Sequence, residues 1–425
     1  MTIDPAGLVA SLAPERLAGE RWFADKNRQI AGIRLADALV VGPDSALVVL
    51  EVEFADGRSE RYTLPHGRWA PLLAELAGGP VEGLSGRFEL RDAEGLGPIA
   101  AERLLGVDQS HTSYVLDERV VLKCYRRLQA GLHPEVELVA FLSGRAEVPA
   151  ARGVLRYVGA DGSECALALL QDYVPLARDG WAWVEERLVA ALAGEESVEA
   201  ATAWASELGV VSARLHAALA QAPGARVATH EDLSAWRRAA EEQLDRVLGL
   251  VDAETAAELR PQAPMIRAEL ARFEEPAAAP LLTRVHGDYH VGQVLHSPAG
   301  FHVIDFEGEP TKRAEERRAP GSPLRDVAAM LRSFDHLARW TLREQPGAER
   351  LRAVEVWIAE ARLRFLAAYG AVDTGLLRAF EVEKETYEFS YAASFVPWWT
   401  FVPRQAMRAL LAEPLHAEPN ERAPR

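Results

Sequence analysis

Two carboxylates and an amide, Asp288, Asp305 and Gln293, carry the chemistry of this chain of 425 residues. The segment His286-Gly287-Asp288-Tyr289-His290-Val291-Gly292-Gln293 is followed, after a short apolar stretch, by Ile304-Asp305-Phe306-Glu307-Gly308. Phosphoryl transfer needs such a set. One carboxylate orients the acceptor hydroxyl and takes its proton, while an amide oxygen and a second carboxylate hold the Mg²⁺ that bridges nucleotide phosphates. Asp288 suits the first role, and Gln293 with Asp305 the second. A lone aspartate often caps a helix or ends a strand, but three such groups at this spacing favour catalysis.

The elements that must position them are legible in outline. Residues up to about 100 read as short strands separated by turns, including Ala46–Phe54 and Arg61–Leu64, with a helix from Pro71 to Leu76. Gln109–Leu116 and Val120–Tyr125 read as antiparallel strands joined at Asp117-Glu118, and Pro134–Leu142 begins a helix. Lys123 falls in the apolar run Val120–Tyr125, where a lysine is costly unless paired. Phosphates and a helix carboxylate would pair it. Ala166–Pro175 is a buried strand ending in polar residues and proline. Helical periodicity then marks Ala201–Leu219, Leu233–Leu250, Ala253–Phe273, Asp326–Arg343, Ala348–Tyr369 and Leu376–Phe395. His216 in the first of these is read as a structural hydrogen-bonding residue.

Length and composition bound the answer. Apolar residues make up 49% of the chain and charged residues 26%, which describes a globular protein of two or three lobes with a sizeable core. A formal charge of −16 argues against nucleic acid and anionic membranes as partners. It does not argue against ATP, because local lysines and Mg²⁺ neutralise phosphates. Cys124 and Cys165, the two cysteines, provide neither a disulfide framework nor a metal site. The start of the sequence lacks the regions of a signal peptide, and no apolar run reaches the ~20 residues that span a bilayer, so a cytoplasmic protein is expected.

The order His286-Gly287-Asp288-x-His290-x-x-Gln293, then Ile304-Asp305-Phe306, resembles the aminoglycoside phosphotransferase (protein-kinase-like) superfamily, with Gln293 where that superfamily usually has Asn. Glu307-Gly308-Glu309-Pro310 and Ser322-Pro323-Leu324-Arg325-Asp326 narrow the resemblance to actinobacterial maltokinases and glucosamine kinases. It runs from Arg21-Trp22-Phe23-Ala24, like the cap of that family, to Tyr387-Glu388; no site is assigned in the cap. The resemblance implies an α+β, bilobal protein-kinase-like fold. Its parts would be a cap subdomain over 1–100, an intermediate nucleotide-binding subdomain and hinge over 101–175, and a mainly helical catalytic and sugar-binding lobe over 176–425. It also implies roles for the nucleotide side: Ser110 and Ser113 at the phosphate-covering turn, Glu137 as the partner of Lys123, and Gln171 and Tyr173 at an adenine-binding hinge.

For the acceptor side, Glu381, Glu385 and Glu388 recur at i, i+4 and i+7 and share one helix face. Carboxylates bind sugar hydroxyls, and aromatic faces pack against pyranose rings. Asp288, Glu381, Tyr387, Glu388, Trp398 and Trp399 are the expected substrate-binding set. Where maltokinases typically continue Arg-Pro-Asp-Trp, this chain has Val396-Pro397-Trp398-Trp399, which suggests a smaller, more enclosed pocket suited to a sugar bearing an ammonium group. The leading expectation is an ATP- and Mg²⁺-dependent glucosamine kinase acting at the 6-hydroxyl, as a monomer or homodimer. A maltose 1-kinase, an antibiotic phosphotransferase and, from another class, a non-catalytic binding module are the alternatives.

Overall fold

The computed structural model describes residues 3–20, 22–23, 25–26, 28–105, 111–309, 312–343 and 347–412. Ser110 lies outside these residues. The chain forms two compact units, Met1–Gly144 with Val148–Pro175, and Arg145–Glu147 with Leu176–Arg425.

The first unit is built on two antiparallel sheets. Ile30–Val41, Ser45–Phe54, Ser59–His66 and Arg127–Leu128 form one, in that order. Ser45–Phe54 is buried on both faces, and its period-two alternation divides it between two cores. Leu47 and Val49 join Trp69, Leu72 and Leu73 of the Trp69–Ala77 helix, while Val48, Leu50 and Val52 join Phe23 and Tyr62. The second sheet has seven strands, in the order Val81–Glu82, Arg87–Arg91, Ala151–Val158, Glu164–Asp172, Val120–Cys124, Thr112–Leu116, Glu102–Leu104. Arg87–Arg91 pairs with Ala151–Val158, so the segments before and after residue 100 share a sheet.

The turn at Asp117 and Glu118 has φ of 49° at both residues. The turn closes with Arg119 N donating to Leu116 O at 3.0 Å, and positive φ at both central residues marks the mirror-image type of turn, whose twist matches that of the flanking strands. Val120–Cys124 therefore lies inside the sheet, with Lys123 opposite Ser113 on one side and Leu169 on the other.

The second unit is mostly helical, and its centre is the helix Pro323–Leu342. Ser322 caps it through Leu324 N, with Pro323 in the first turn, where a missing N–H costs nothing. Every residue from Asp326 to Arg339 is buried. A helix buried all round forms the core of its unit, so the charges it carries must find partners inside. Asp335 accepts from Arg339 at 2.5 and 3.1 Å, Arg332 donates to Glu381 at 3.1 Å, and His336 meets Glu385 at 3.0 Å. Both glutamates belong to Thr374–Phe395, which packs alongside.

Helix existence follows the sequence periodicity, with several differences, Gly180–Leu192 and the short Ala314–Arg318 being helices that it did not mark. The 201–219 segment is split into Val198–Thr202 and Trp204–Leu219. Phe401–Ala412 is an additional helix, which buries Val402, Ala406, Met407 and Leu410 at helical spacing. Two short helices, Pro5–Ala10 and Pro14–Gly19, precede the first strand. Among the described residues, no helix is long and apolar enough to cross a membrane.

Trp204 ties the helical core to the hairpin that follows Gln293. Its ring lies 5.1 Å from Phe334, 6.1 Å from Trp357 and 6.4 Å from Phe301 of the hairpin strand Gly300–Val303, measured between centroids. Removing a buried aromatic of this size leaves a cavity that rigid neighbours fill poorly. Trp204→Ala should lower the unfolding free energy of this unit by about 3–5 kcal/mol. Urea denaturation followed by far-UV circular dichroism measures it, and an unchanged midpoint would contradict the assignment of Trp204 to the core.

Candidate active site

The loop 286–293 is held by one buried carboxylate. Asp326, in the first turn of Pro323–Leu342, accepts His286 N at 2.7 Å and Gly287 N at 2.9 Å, one on each oxygen. His216 Nε2 lies 3.3 Å from the oxygen that serves His286, and His216 Nδ1 meets the Tyr369 hydroxyl at 2.8 Å, in keeping with a structural role for this histidine. Burial pushes the Asp326 carboxyl upward. The His216 hydrogen bond, the charges of His216 and His286 and the Gly287 N–H outweigh this and hold it below the ordinary aspartate range.

Other contacts fix the rest of the loop. Gly287 has φ of 85°, and a Cβ there would come within 3.2 Å of the Gly308 Cα. Tyr289 is fully buried with its hydroxyl 2.8 Å from Ser212 Oγ, and Val291 N donates to Ser333 Oγ at 3.1 Å. A Cβ at Gly180 would collide with the Val291 carbonyl, so only glycine lets the Gly180–Leu192 helix start against the loop. His290 Nδ1 accepts from Gly292 N at 3.1 Å. Its proton therefore sits on Nε2, 3.9 Å from Asp288 Oδ2. Burial lowers the His290 pKa, with Asp288 opposing.

Gln293 and Asp305 are far apart in sequence and close in space because a hairpin joins them. Val294–Ser297 and Gly300–Val303 pair with Val294 opposite Val303. Ile304 N then donates to Gln293 O at 3.0 Å, which sets Asp305 one residue beyond. Asp305 adopts φ of 67°, a left-handed conformation that costs a non-glycine residue roughly 1–2 kcal/mol. The flanking groups impose it: Ile304 O meets His286 Nε2 at 2.9 Å, and the buried Phe306 ring lies 4.7 Å from the His286 ring. The donors that Gln293 and Asp305 bring together are oxygens, one neutral and one charged. That set suits Mg²⁺, which binds through one or two carboxylates and keeps other positions for phosphates and water.

Asp288 opens into a cavity of about 330 Å³. Glu388, Tyr387, Trp398 and Trp399 line it, as the sequence suggested, and so do Trp181, His290, Ser333, His336, Lys384 and Tyr391. Trp399 is braced by Trp340 at 5.1 Å and Trp181 at 6.3 Å, whereas Trp398 stands at the rim, 63% exposed. The pocket is thus less enclosed than its two tryptophans implied.

Glu381 does not line the pocket. It is buried against Arg332 and Arg362, at 3.1 and 2.5 Å, and their charges, with that of Arg378, overcome burial and hold its carboxyl down to about 2. The shared face of Glu381, Glu385 and Glu388 is real, but it runs along the buried helix. Seven residues advance about 10 Å, so only the Glu388 end reaches the cavity.

Lys384, one turn before Glu388, was not singled out from the sequence, although the i, i+4 charge pair was the available signal. Its Nζ lies 3.0 Å from Glu388 Oε1 and 3.9 Å from Asp288 Oδ1. Burial disfavours the ammonium, but Glu388 and Asp288 outweigh it and raise the Lys384 pKa. Glu388 is pulled down in return, against burial, first by Lys384 and then by His336.

In the first unit Lys123 is buried, and its Nζ lies 2.9 Å from Glu135 Oε2. The carboxylate that meets it is therefore Glu135 rather than Glu137. Two residues turn a helix by about 200°, and Glu135 is on the buried face of Pro134–Leu142 while Glu137 is half-buried. Tyr125 donates to the same oxygen of that carboxylate at 2.7 Å. Ser113 is buried opposite Lys123 on the neighbouring strand. Gln171 is buried near the end of Glu164–Asp172, and Tyr173 follows it. The N–H groups of Asp172 and Tyr173 are already donated to Ala150 O and Arg119 O.

The profile of the phosphotransferase enzyme family (APH) matches residues 102–380. A glucosamine kinase of Streptacidiphilus jiangxiensis is 31% identical over 422 residues, covering 91% of this chain and 95% of the relative. A glucosamine kinase of Mycolicibacterium smegmatis is 32% identical, covering 88% and 96%. A solved glucosamine kinase in complex with glucosamine, ADP and inorganic phosphate superposes with a TM-score of 0.73 at 29% identity, covering 97% of this chain and 100% of that one. The chain belongs to the phosphotransferase enzyme family, and its α+β, protein-kinase-like fold is the one its motif order implied.

Asp326→Asn should expose the loop's dependence on its anchor. An amide offers one acceptor oxygen to two N–H groups, and an unpaired buried N–H costs about 1–3 kcal/mol. Because the folded carboxyl is held below its ordinary value, its contribution is fully present above pH ~4 and is lost as the pH falls through the folded pKa. Urea unfolding at neutral and acidic pH should show a less stable variant whose stability falls less on acidification. Identical pH profiles for the two proteins would count against this role.

Proposed function

We propose that this member of the family is an ATP- and Mg²⁺-dependent glucosamine kinase that phosphorylates the 6-hydroxyl of the sugar. The observation that carries the reading is the meeting of Asp288, Glu388 and the tryptophan walls in one sugar-sized cavity. Carboxylates and aromatic faces bind an ammonium-bearing pyranose: the carboxylates by charge-assisted hydrogen bonds, the rings by packing on the apolar side of the sugar and by attraction of the cation. The names of the relatives agree with it.

Asp288 orients the acceptor hydroxyl and takes its proton as the sugar oxygen bonds to the γ-phosphorus and the bond to ADP breaks. His290 stands beside Asp288, with Nε2 3.9 Å from Oδ2. Gln293 and Asp305 would hold Mg²⁺, which when bound neutralises charge on the phosphates. Lys123, steadied by Glu135, supports binding of the nucleotide phosphates. Glu388 and Trp399 position the sugar.

Asp288→Asn should retain ATP binding and lose about 10²–10⁴-fold in turnover, the worth of a positioned base. Near-normal turnover would remove Asp288 from the role. Asp305→Ala should weaken Mg²⁺-dependent nucleotide binding more than Gln293→Ala, because it removes a charged ligand rather than a neutral one. Nucleotide titration with and without Mg²⁺ reads this directly. Across a sugar panel under identical Mg²⁺-ATP, kcat/KM for glucosamine should exceed that for glucose and N-acetylglucosamine by roughly ten- to a hundredfold, the worth of a charge-assisted hydrogen bond. Turnover of maltose with glucosamine inert would replace the reading with a maltokinase.

A further inference from the structure

The acceptor pocket already contains an ammonium group, that of Lys384. Its Nζ stands 3.0 Å from Glu388 Oε1 and 3.9 Å from Asp288 Oδ1, and 4.7 Å over the Tyr387 ring. Those are the groups that an amino sugar would engage. His336, facing the cavity from Pro323–Leu342, is engaged by Glu385 at 3.0 Å. Lys384 is thus the cation in direct reach of both pocket carboxylates among the described residues.

We propose that Lys384 is a specificity-determining residue, which neutralises one of the two pocket carboxylates and so limits the acceptor to a sugar with a single ammonium group. The inference rests on the reading of the cavity as an amino-sugar site and adds to it the residue that sets the charge it accepts. With Lys384 in place, Asp288 and Glu388 share one ammonium in direct reach, His336 being taken up by Glu385, and one further positive charge from the sugar completes the balance. A second ammonium on the substrate would have to be buried without a counter-charge, which is costly. Without Lys384, two carboxylates are left to be satisfied by substrate alone, so binding should depend more steeply on substrate charge. A lysine with a purely structural role would affect charged and neutral sugars alike.

The test compares the wild-type enzyme with K384M and K384R, using kcat and KM for glucosamine, glucose and a diamino sugar under saturating Mg²⁺-ATP. K384M should widen the kcat/KM ratio of glucosamine over glucose by roughly tenfold or more, chiefly through KM, and should bring the diamino sugar up relative to glucosamine. K384R, which keeps the charge, should hold both ratios near the wild-type values. Thermal unfolding of each variant confirms that the fold is retained, and K384Q carries the same test if the methionine variant does not fold. Unchanged ratios in the neutral variant, an equal loss on all sugars, or a widening in K384R as large as in K384M would each overturn the proposal. Failure of the wild-type enzyme to act on glucosamine would instead defeat the amino-sugar reading itself, before any variant is compared.

Discussion

The geometry of the site depends on a single buried carboxylate. Asp326 gives one oxygen to His286 N and the other to Gly287 N, while His216 Nε2 meets the oxygen that serves His286. Backbone N–H groups in a buried loop have no water to turn to, so this carboxylate supplies the partners that a regular element would otherwise give. Held there, the chain reaches Asp288 in one conformation, and Tyr289 and Val291 lock the following residues through Ser212 and Ser333. Ser333 belongs to the same helix as Asp326. One rigid element therefore anchors both ends of the loop.

That helix explains why so many charges are buried in the second unit. Pro323–Leu342 is enclosed on every side, yet it carries Arg332, Asp335, His336 and Arg339. Buried charges of this kind stabilise weakly in net terms, because desolvation offsets much of the attraction, but losing one partner of a pair is severe. The pattern of pairs fixes the register of Thr374–Phe395 against it: Arg332 to Glu381, then His336 to Glu385 one turn on. Glu388, the next position on that face, is thereby delivered to the cavity. The charge ladder is the device by which a structural interface ends at the cavity.

The cavity itself mixes two kinds of recognition. Trp181 and Trp399 form an aromatic wall, with Trp340 packed behind Trp399. Asp288, Lys384 and Glu388 form a short line of alternating charge in the same cavity. An aromatic wall of this kind suits a ring with an apolar face, and such charges suit ammonium and hydroxyl groups. Separate parts of the structure hold each, so shape and charge preference can change independently.

The candidate catalytic residues stood out in the sequence because their types and order match a chemistry. Asp288, Gln293 and Asp305 are a base, a neutral oxygen and a charged oxygen in the order that phosphoryl transfer needs, and the apolar runs between them fit the hairpin that joins them. The helices of the second unit were legible from periodicity for a related reason, since burial of one face imposes it. The partner of Lys123 was not. Glu135 and Glu137 differ by two residues in sequence and by which side of a helix they face, and packing decided that. The role of Glu381 was equally hidden: a helix face of three glutamates is one pattern in sequence, and only the neighbouring helix shows that the first two meet Arg332 and His336 while the third meets solvent-accessible space. Lys384 shares its helix with the glutamates read as sugar-binding, whereas His336 came to the pocket from a helix with no local signature of binding. Sequence records what each residue is able to do; which groups share a cavity depends on contacts between segments far apart in the chain, and those exist only once the helices have packed.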